Sequence, residues 1–140
     1  MSTPIPFGPQ LLGETEKTLG ALLRGVLHGT GLAESQWVTL RVAALTGGSA
    51  DAAGLVTVVA DRAHFVNAAE LVGQLTERGL IEAGHVTAAG SDMLETVLAR
   101  SAAVTGPIWE DFAAADLEAT TRVLNELLGR ARDVAQRASL

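Results

Sequence analysis

Apolar residues recur at helical spacing from the tenth residue onward. Between Gln10 and His28 the apolar positions are Leu11, Leu12, Leu19, Leu22, Leu23, Val26 and Leu27, which predicts a helix. His28-Gly29-Thr30-Gly31 ends it, because glycine accepts the left-handed cap conformation. A second helix is predicted over Glu34–Leu45. Trp37, Leu40, Arg41 and Ala44 share one stripe and Val38, Val42 and Leu45 another, so burial on two sides is expected. Gly47-Gly48-Ser49 breaks that pattern. A third helix is expected over about 50–60, carrying Leu55, Val56, Val59 and Ala60. After a polar Asp61-Arg62 step, a fourth is expected over about 66–78, carrying Ala68, Leu71, Val72 and Leu75. The period then changes. Leu80-Ile81-Glu82 and His85-Val86-Thr87, linked by Ala83-Gly84, predict a small β-hairpin. Thr87 is placed to cap a helix over about 88–103 with Met93, Leu94, Val97 and Leu98 inward, and Gly106-Pro107 is expected to interrupt it. A last helix over about 111–138 places Leu117, Leu124, Leu127, Leu128, Ala131 and Val134 near a 3.5-residue period. That period implies a partner helix.

The composition narrows the class. A chain of 140 residues suggests one domain. Residues 1–9 hold Pro4, Pro6 and Pro9 and are expected to form an extended arm in which Phe7 is free to pack elsewhere. Hydrophobic residues make up 48%, which suffices for a core. Aromatic residues are only 4%, so that core is aliphatic. No cysteine is present, which excludes disulfides and thiolate metal sites. No apolar run approaches the roughly 18 residues of a membrane span, and the N-terminus lacks a basic stretch followed by an apolar one. No membrane association and a cytoplasmic location are therefore expected. Ten Lys+Arg against 16 Asp+Glu give a formal charge of −6. A histone-like protein or a basic nucleic-acid tail is excluded, since both need an excess of cations to displace counterions from phosphates.

Three segments carry a resemblance. GLAESQWVTLRVAAL (31–45), LVGQLTERGLIE (71–82) and VTAAG (86–90) occur in the order and spacing of helix, helix-into-strand and strand-into-helix junctions. In this the chain resembles the MarR (multiple-antibiotic-resistance regulator) family from about residue 10 to 138. The resemblance implies a mainly α fold. It would be a winged helix-turn-helix (about 33–90) with a short β-hairpin wing, plus N- and C-terminal dimerisation helices (about 10–28 and 88–138). It also implies a homodimer, a double-stranded DNA partner, and modulation by a small aromatic or anionic effector. One departure stands out. The hairpin tip Glu82-Ala83-Gly84-His85 carries no Arg or Lys, and residues 55–90 hold two arginines against four carboxylates, a formal −2. DNA binding is then expected to be weak or strongly salt-sensitive.

On the fourth helix His64, Asn67, Glu70 and Gln74 offer groups able to read bases. Asn and Gln can pair with adenine, and Glu can accept from cytosine N4. Arg62, at the turn, is placed for a phosphate. The same residues also fit a solvated face. Arg78, just before Gly79, is assigned to structure. Trp37 and Arg41 lie four apart on one helical face with His28 near in sequence, and the resemblance makes them candidates for an anionic aromatic ligand. The plainer alternative has Trp37 in the core and Arg41 paired with a carboxylate. Phe7, Trp109 and Phe112 suit either such a cavity or a dimer contact. His28, His64 and His85 have no metal-ligand spacing, and no catalytic triad, phosphate loop or dinucleotide fingerprint occurs. No cofactor and no enzymatic activity are expected. The alternative to a DNA-binding regulator is a scaffold of the same fold that has lost DNA binding and takes a small molecule or a protein.

Overall fold

The computed structural model describes residues 3–46 and 51–138. Among them are six α-helices and one two-stranded antiparallel sheet, so the protein is mainly helical. The expected break at Gly47-Gly48-Ser49 lies outside the described residues. The chain divides into two compact units at Val104 and Thr105.

The first unit begins with α1 (Pro9–Leu27), one residue earlier than the expected arm allows. Pro9 opens the helix because its fixed φ suits the first turn, where its missing N–H costs nothing. Gly29 (φ 83) and Gly31 (φ 77) turn the chain after it. α2 (Glu34–Leu45) has the expected ends. Its Trp37, Leu40, Val42 and Ala43 are buried, whereas Leu45 is exposed at its end. Thr39 is fully buried, and its hydroxyl donates to the Ser35 carbonyl at 2.8 Å, so no polar atom is stranded.

α3 (Ala52–Ala63) is shifted from its expected place. Asp51 caps it by accepting from the Gly54 amide at 2.8 Å. The Asp61-Arg62 step does not end the helix, since two exposed polar side chains fit its outer face. The helix ends instead at His64, which adopts φ 58. α4 (Ala68–Glu77) starts two residues later than expected, with Asn67 as N-cap. α2, α3 and α4 pack on one another. Leu40, Leu55, Val59 and Leu75 are fully buried in the resulting core.

At Arg78-Gly79 the chain leaves α4 and enters β1 (Ile81–Glu82), paired with β2 (His85–Val86) in the register Ile81↔Val86 and Glu82↔His85. Ala83 (φ 51) and Gly84 (φ 83) form the tip, and two positive φ values are what a two-residue type I′ turn demands. Thr87 then fixes the next helix as expected. Its hydroxyl accepts from the Gly90 amide at 3.1 Å and donates to the Gly79 carbonyl at 2.6 Å. α5 (Ala88–Trp109) runs past the expected stop and contains Pro107. A proline removes one backbone hydrogen bond, and near a helix end that loss does not terminate the element.

The second unit, from Thr105 onward, holds the end of α5, a turn and α6 (Ala114–Arg137). No residue of α6 is buried, although Leu117, Leu124, Leu127, Leu128 and Val134 lie along it. No helix among the described residues is long and apolar enough to cross a membrane.

Candidate nucleic-acid interface

The outer side of α4 and the turn before it hold the candidate base-reading residues, each in a distinct situation. His64 lies outside α4. It ends α3 in the left-handed region, with its side chain exposed. Arg62 is not at the turn but on the exposed last turn of α3. Asn67 is the N-cap of α4, yet its side chain makes no capping hydrogen bond. Its backbone (φ −106, ψ 31) departs from the extended conformation that usually turns a cap side chain toward the helix amides. Asp51 and Thr87, the caps of α3 and α5, spend their oxygens on those amides.

Gln74 is the most engaged of the set. Its carbonyl oxygen accepts from Gln36 Nε2 at 3.0 Å and its nitrogen donates to Glu70 Oε1 at 3.4 Å. Gln36 in turn accepts from the Ala33 amide at 2.9 Å, closing the first turn of α2. This chain of amides ties α4 to α2 and leaves Gln74 half-buried, with one N–H still unspent. Glu70 and Glu77 are exposed on the same stripe, two turns apart, with Gly73 between them. Nothing lies within 4 Å of where a Gly73 side chain would begin, so the middle of this face is bare backbone.

Arg78 plays the structural part expected of it. Its guanidinium donates to the carbonyls of Gly31 at 2.9 Å and Thr30 at 3.3 Å, holding the α1–α2 loop against the end of α4. Two of its five N–H donors are engaged there, and the guanidinium remains exposed at the end of α4. The electrostatics of the face are accordingly acidic. Glu70, Glu77 and Glu82 are exposed, the hairpin tip adds no cation, and the exposed arginines Arg62 and Arg78 lie at its two borders.

The candidate ligand residues are not brought together around one cavity. Trp37 is buried in the core, as the plainer alternative has it. Arg41 is half-buried on α2 and makes no ion pair among the described residues, so the carboxylate partner expected for it is not found. His28 is exposed at the end of α1 and lines two clefts. One, of about 540 Å³, runs between α1 (Leu22, Gly25, Val26) and α5 (Arg100, Ala103, Val104). The other, of about 400 Å³, is walled by Arg24, Glu34 and the α1–α2 loop. Trp37 and Arg41 line neither. Arg24 and Glu34 form an ion pair at 3.0 Å at the mouth of the second cleft. Arg100 Nη1 approaches the His28 carbonyl at 3.5 Å in the first. Phe7, Trp109 and Phe112 are all exposed. Among the described residues no three His, Asp or Glu side chains gather in a way that can hold a metal ion.

Val66 was not singled out by its sequence. It sits in the turn between α3 and α4 and is fully exposed, while Phe65 before it packs on the core and Ala68 after it is buried. A β-branched apolar residue at the polar border of a predicted helix was the available signal. Comparison with protein-family models, with curated proteins and with solved structures finds no match to this chain.

Proposed function

We propose that the chain is a homodimeric winged helix-turn-helix transcriptional regulator of MarR type, in which α4 enters the major groove and the β1–β2 hairpin is a shortened wing. The observation that carries this reading is the run α2, α3, α4, hairpin, α5. The three helices pack on one another, and α4 passes through Arg78-Gly79 directly into the hairpin while its outer side stays open. α6 supports the second copy. Leu117, Leu124, Leu127, Leu128 and Val134 form an exposed apolar stripe along it, of the kind that marks an interaction surface. Two copies then read half-sites about one helical turn apart. A small anionic effector suits the cleft between α1 and α5, where Arg100 supplies the charge and His28 a further hydrogen-bonding group. It regulates only by binding one arrangement of the reading heads better than another.

The acidic outer face of α4 favours a second reading, in which the same scaffold has given up DNA and takes a small molecule or a protein. One experiment separates the two. Fluorescence anisotropy with duplexes from the region upstream of its own coding sequence, titrated from about 20 to 200 mM salt, is expected to show a complex at the low end that dissociates as salt rises. Few cations face the DNA, and the salt slope scales with the phosphates neutralised, so the strong salt-sensitivity expected from the sequence gives way to weak binding with a shallow slope of log affinity against log salt, about −2 to −4 for the dimer. Absence of any complex at the lowest salt overturns the DNA-binding reading and leaves the scaffold reading standing.

A further inference from the structure

We propose that Val66 and Asn67 are the residues that set sequence preference, and that they read an A·T pair: Asn67 pairs with adenine, and Val66 packs on the 5-methyl group of a thymine in the same or the neighbouring pair. This inference rests on the DNA-binding reading above and names the bases that α4 would seek.

Three observations converge on it. First, Val66 is a large aliphatic side chain held wholly in solvent, between a neighbour that packs on the core and one that is buried. The turn spends Phe65 on the core and leaves Val66 pointing away from it. In a major groove the apolar feature that distinguishes one base pair from another is the thymine methyl group. Second, the Asn67 carboxamide is unspent. It makes no capping bond to α4, so its oxygen and its NH₂ are both available to adenine N6 and N7 in the bidentate pairing that Asn makes. Third, the rest of the α4 face is less free for that chemistry. Gln74, the other residue that can pair with adenine, has both ends of its amide engaged by Gln36 and Glu70. Gly73 offers no side chain, and Glu70 and Glu77 only accept. What can read A·T is concentrated at the N-terminal end of α4, the end that helix-turn-helix proteins present to base edges.

His64 fits the same account. It holds φ 58, a region costly for a residue with a Cβ, at the corner that orients Val66 and Asn67. Such strain tends to persist where a site needs the geometry.

The test uses the full chain and a pool of random-sequence duplexes selected at low salt. The selected half-site is expected to contain at least one A·T pair. Replacing its thymines one at a time by deoxyuridine removes only the methyl group. One such replacement per half-site is expected to weaken binding about four-fold, the worth of one buried methyl group. In Val66→Ser that replacement should have no effect, because the contact is already gone. Asn67→Ala should weaken binding about ten-fold and relax the preference for adenine at one position. Both side chains are exposed, so the unfolding midpoints of the variants should match the parent, which separates lost contact from lost fold. Selected half-sites of G·C pairs alone overturn the inference. So does a wild type indifferent to every deoxyuridine, or a deoxyuridine penalty that survives in Val66→Ser. In each of these cases a specific duplex is still bound and the DNA-binding reading stands. If no duplex is selected at all, both fall.

Discussion

At Gly90 the first turn of α5 passes so close to the hairpin that a Cβ would collide with the Leu80 carbonyl and sit 2.9 Å from Val86 Cγ1. The carbonyl is held where it is by the Thr87 amide, which donates to it at 3.1 Å. Backbone cannot swing aside as a side chain can, so Gly90→Ala should cost about 3 kcal/mol, at the upper end for overpacking. Urea unfolding checks this, and a loss under 1 kcal/mol would show that the junction relaxes freely. Ala83 presents the opposite case. It holds φ 51 in the hairpin tip, a region where glycine carries no penalty. Ala83→Gly should therefore stabilise the protein by about 0.5–1 kcal/mol, read as a raised unfolding midpoint. Both effects depend on backbone geometry that residue type alone does not announce.

Each helix of the first unit stops or starts for an identifiable reason, and the reasons differ in how visible they are in sequence. α2 matched its expected ends because Gly31 before it and the Gln36 contact with the Ala33 amide are local devices. Thr87 likewise announces α5 by a short-range bond to Gly90. The α3–α4 corner was misplaced because a histidine, not a glycine, adopts the left-handed conformation there. That choice is made by the packing of Phe65 and Ala68 on the core rather than by local preference. At this scale Thr87→Val is informative. It keeps the shape but removes the acceptor for the Gly90 amide and the donor to the Gly79 carbonyl, and it should cost about 1–2 kcal/mol. A hydrogen-exchange experiment should place the loss in the hairpin and the first turn of α5. Protection lost uniformly along the chain would argue against a local cap.

For the molecule as a whole the distribution of charge matters more than its sum. The formal −6 excludes a basic tail, but Arg122, Arg130, Arg132 and Arg137 all lie on α6, where Arg130 pairs with Glu126. Arg78 is tied by two hydrogen bonds to the α1–α2 loop at the end of α4. The outer face of α4 is thus left with carboxylates. α6 itself carries the clearest expectation. With Leu124 and Leu128 both replaced by Glu, sedimentation should show a shift from dimer to monomer. The unfolding midpoint should also lose its dependence on protein concentration. A parent protein that sediments as a monomer at micromolar concentration would remove the homodimer from the proposed function.

Local patterning along the chain suffices for the number and order of the helices, the hairpin with its two-residue tip, the Thr87 cap, the structural assignment of Arg78 and the acidic balance of residues 55–90. All of these rest on short-range spacing, turn chemistry or counting. Which polar groups stay free depends on long-range packing. Gln74 is engaged by Gln36, 38 residues away along the chain, so its amide oxygen is taken where Asn67 keeps its own. Trp37 and Arg41 share a helical face, but one is core and the other half-exposed, and neither reaches the clefts that His28 lines. Periodicity places a residue on a face of its own helix. What lies opposite that face is fixed by long-range packing, and that packing is what left Val66 and Asn67 open to a partner.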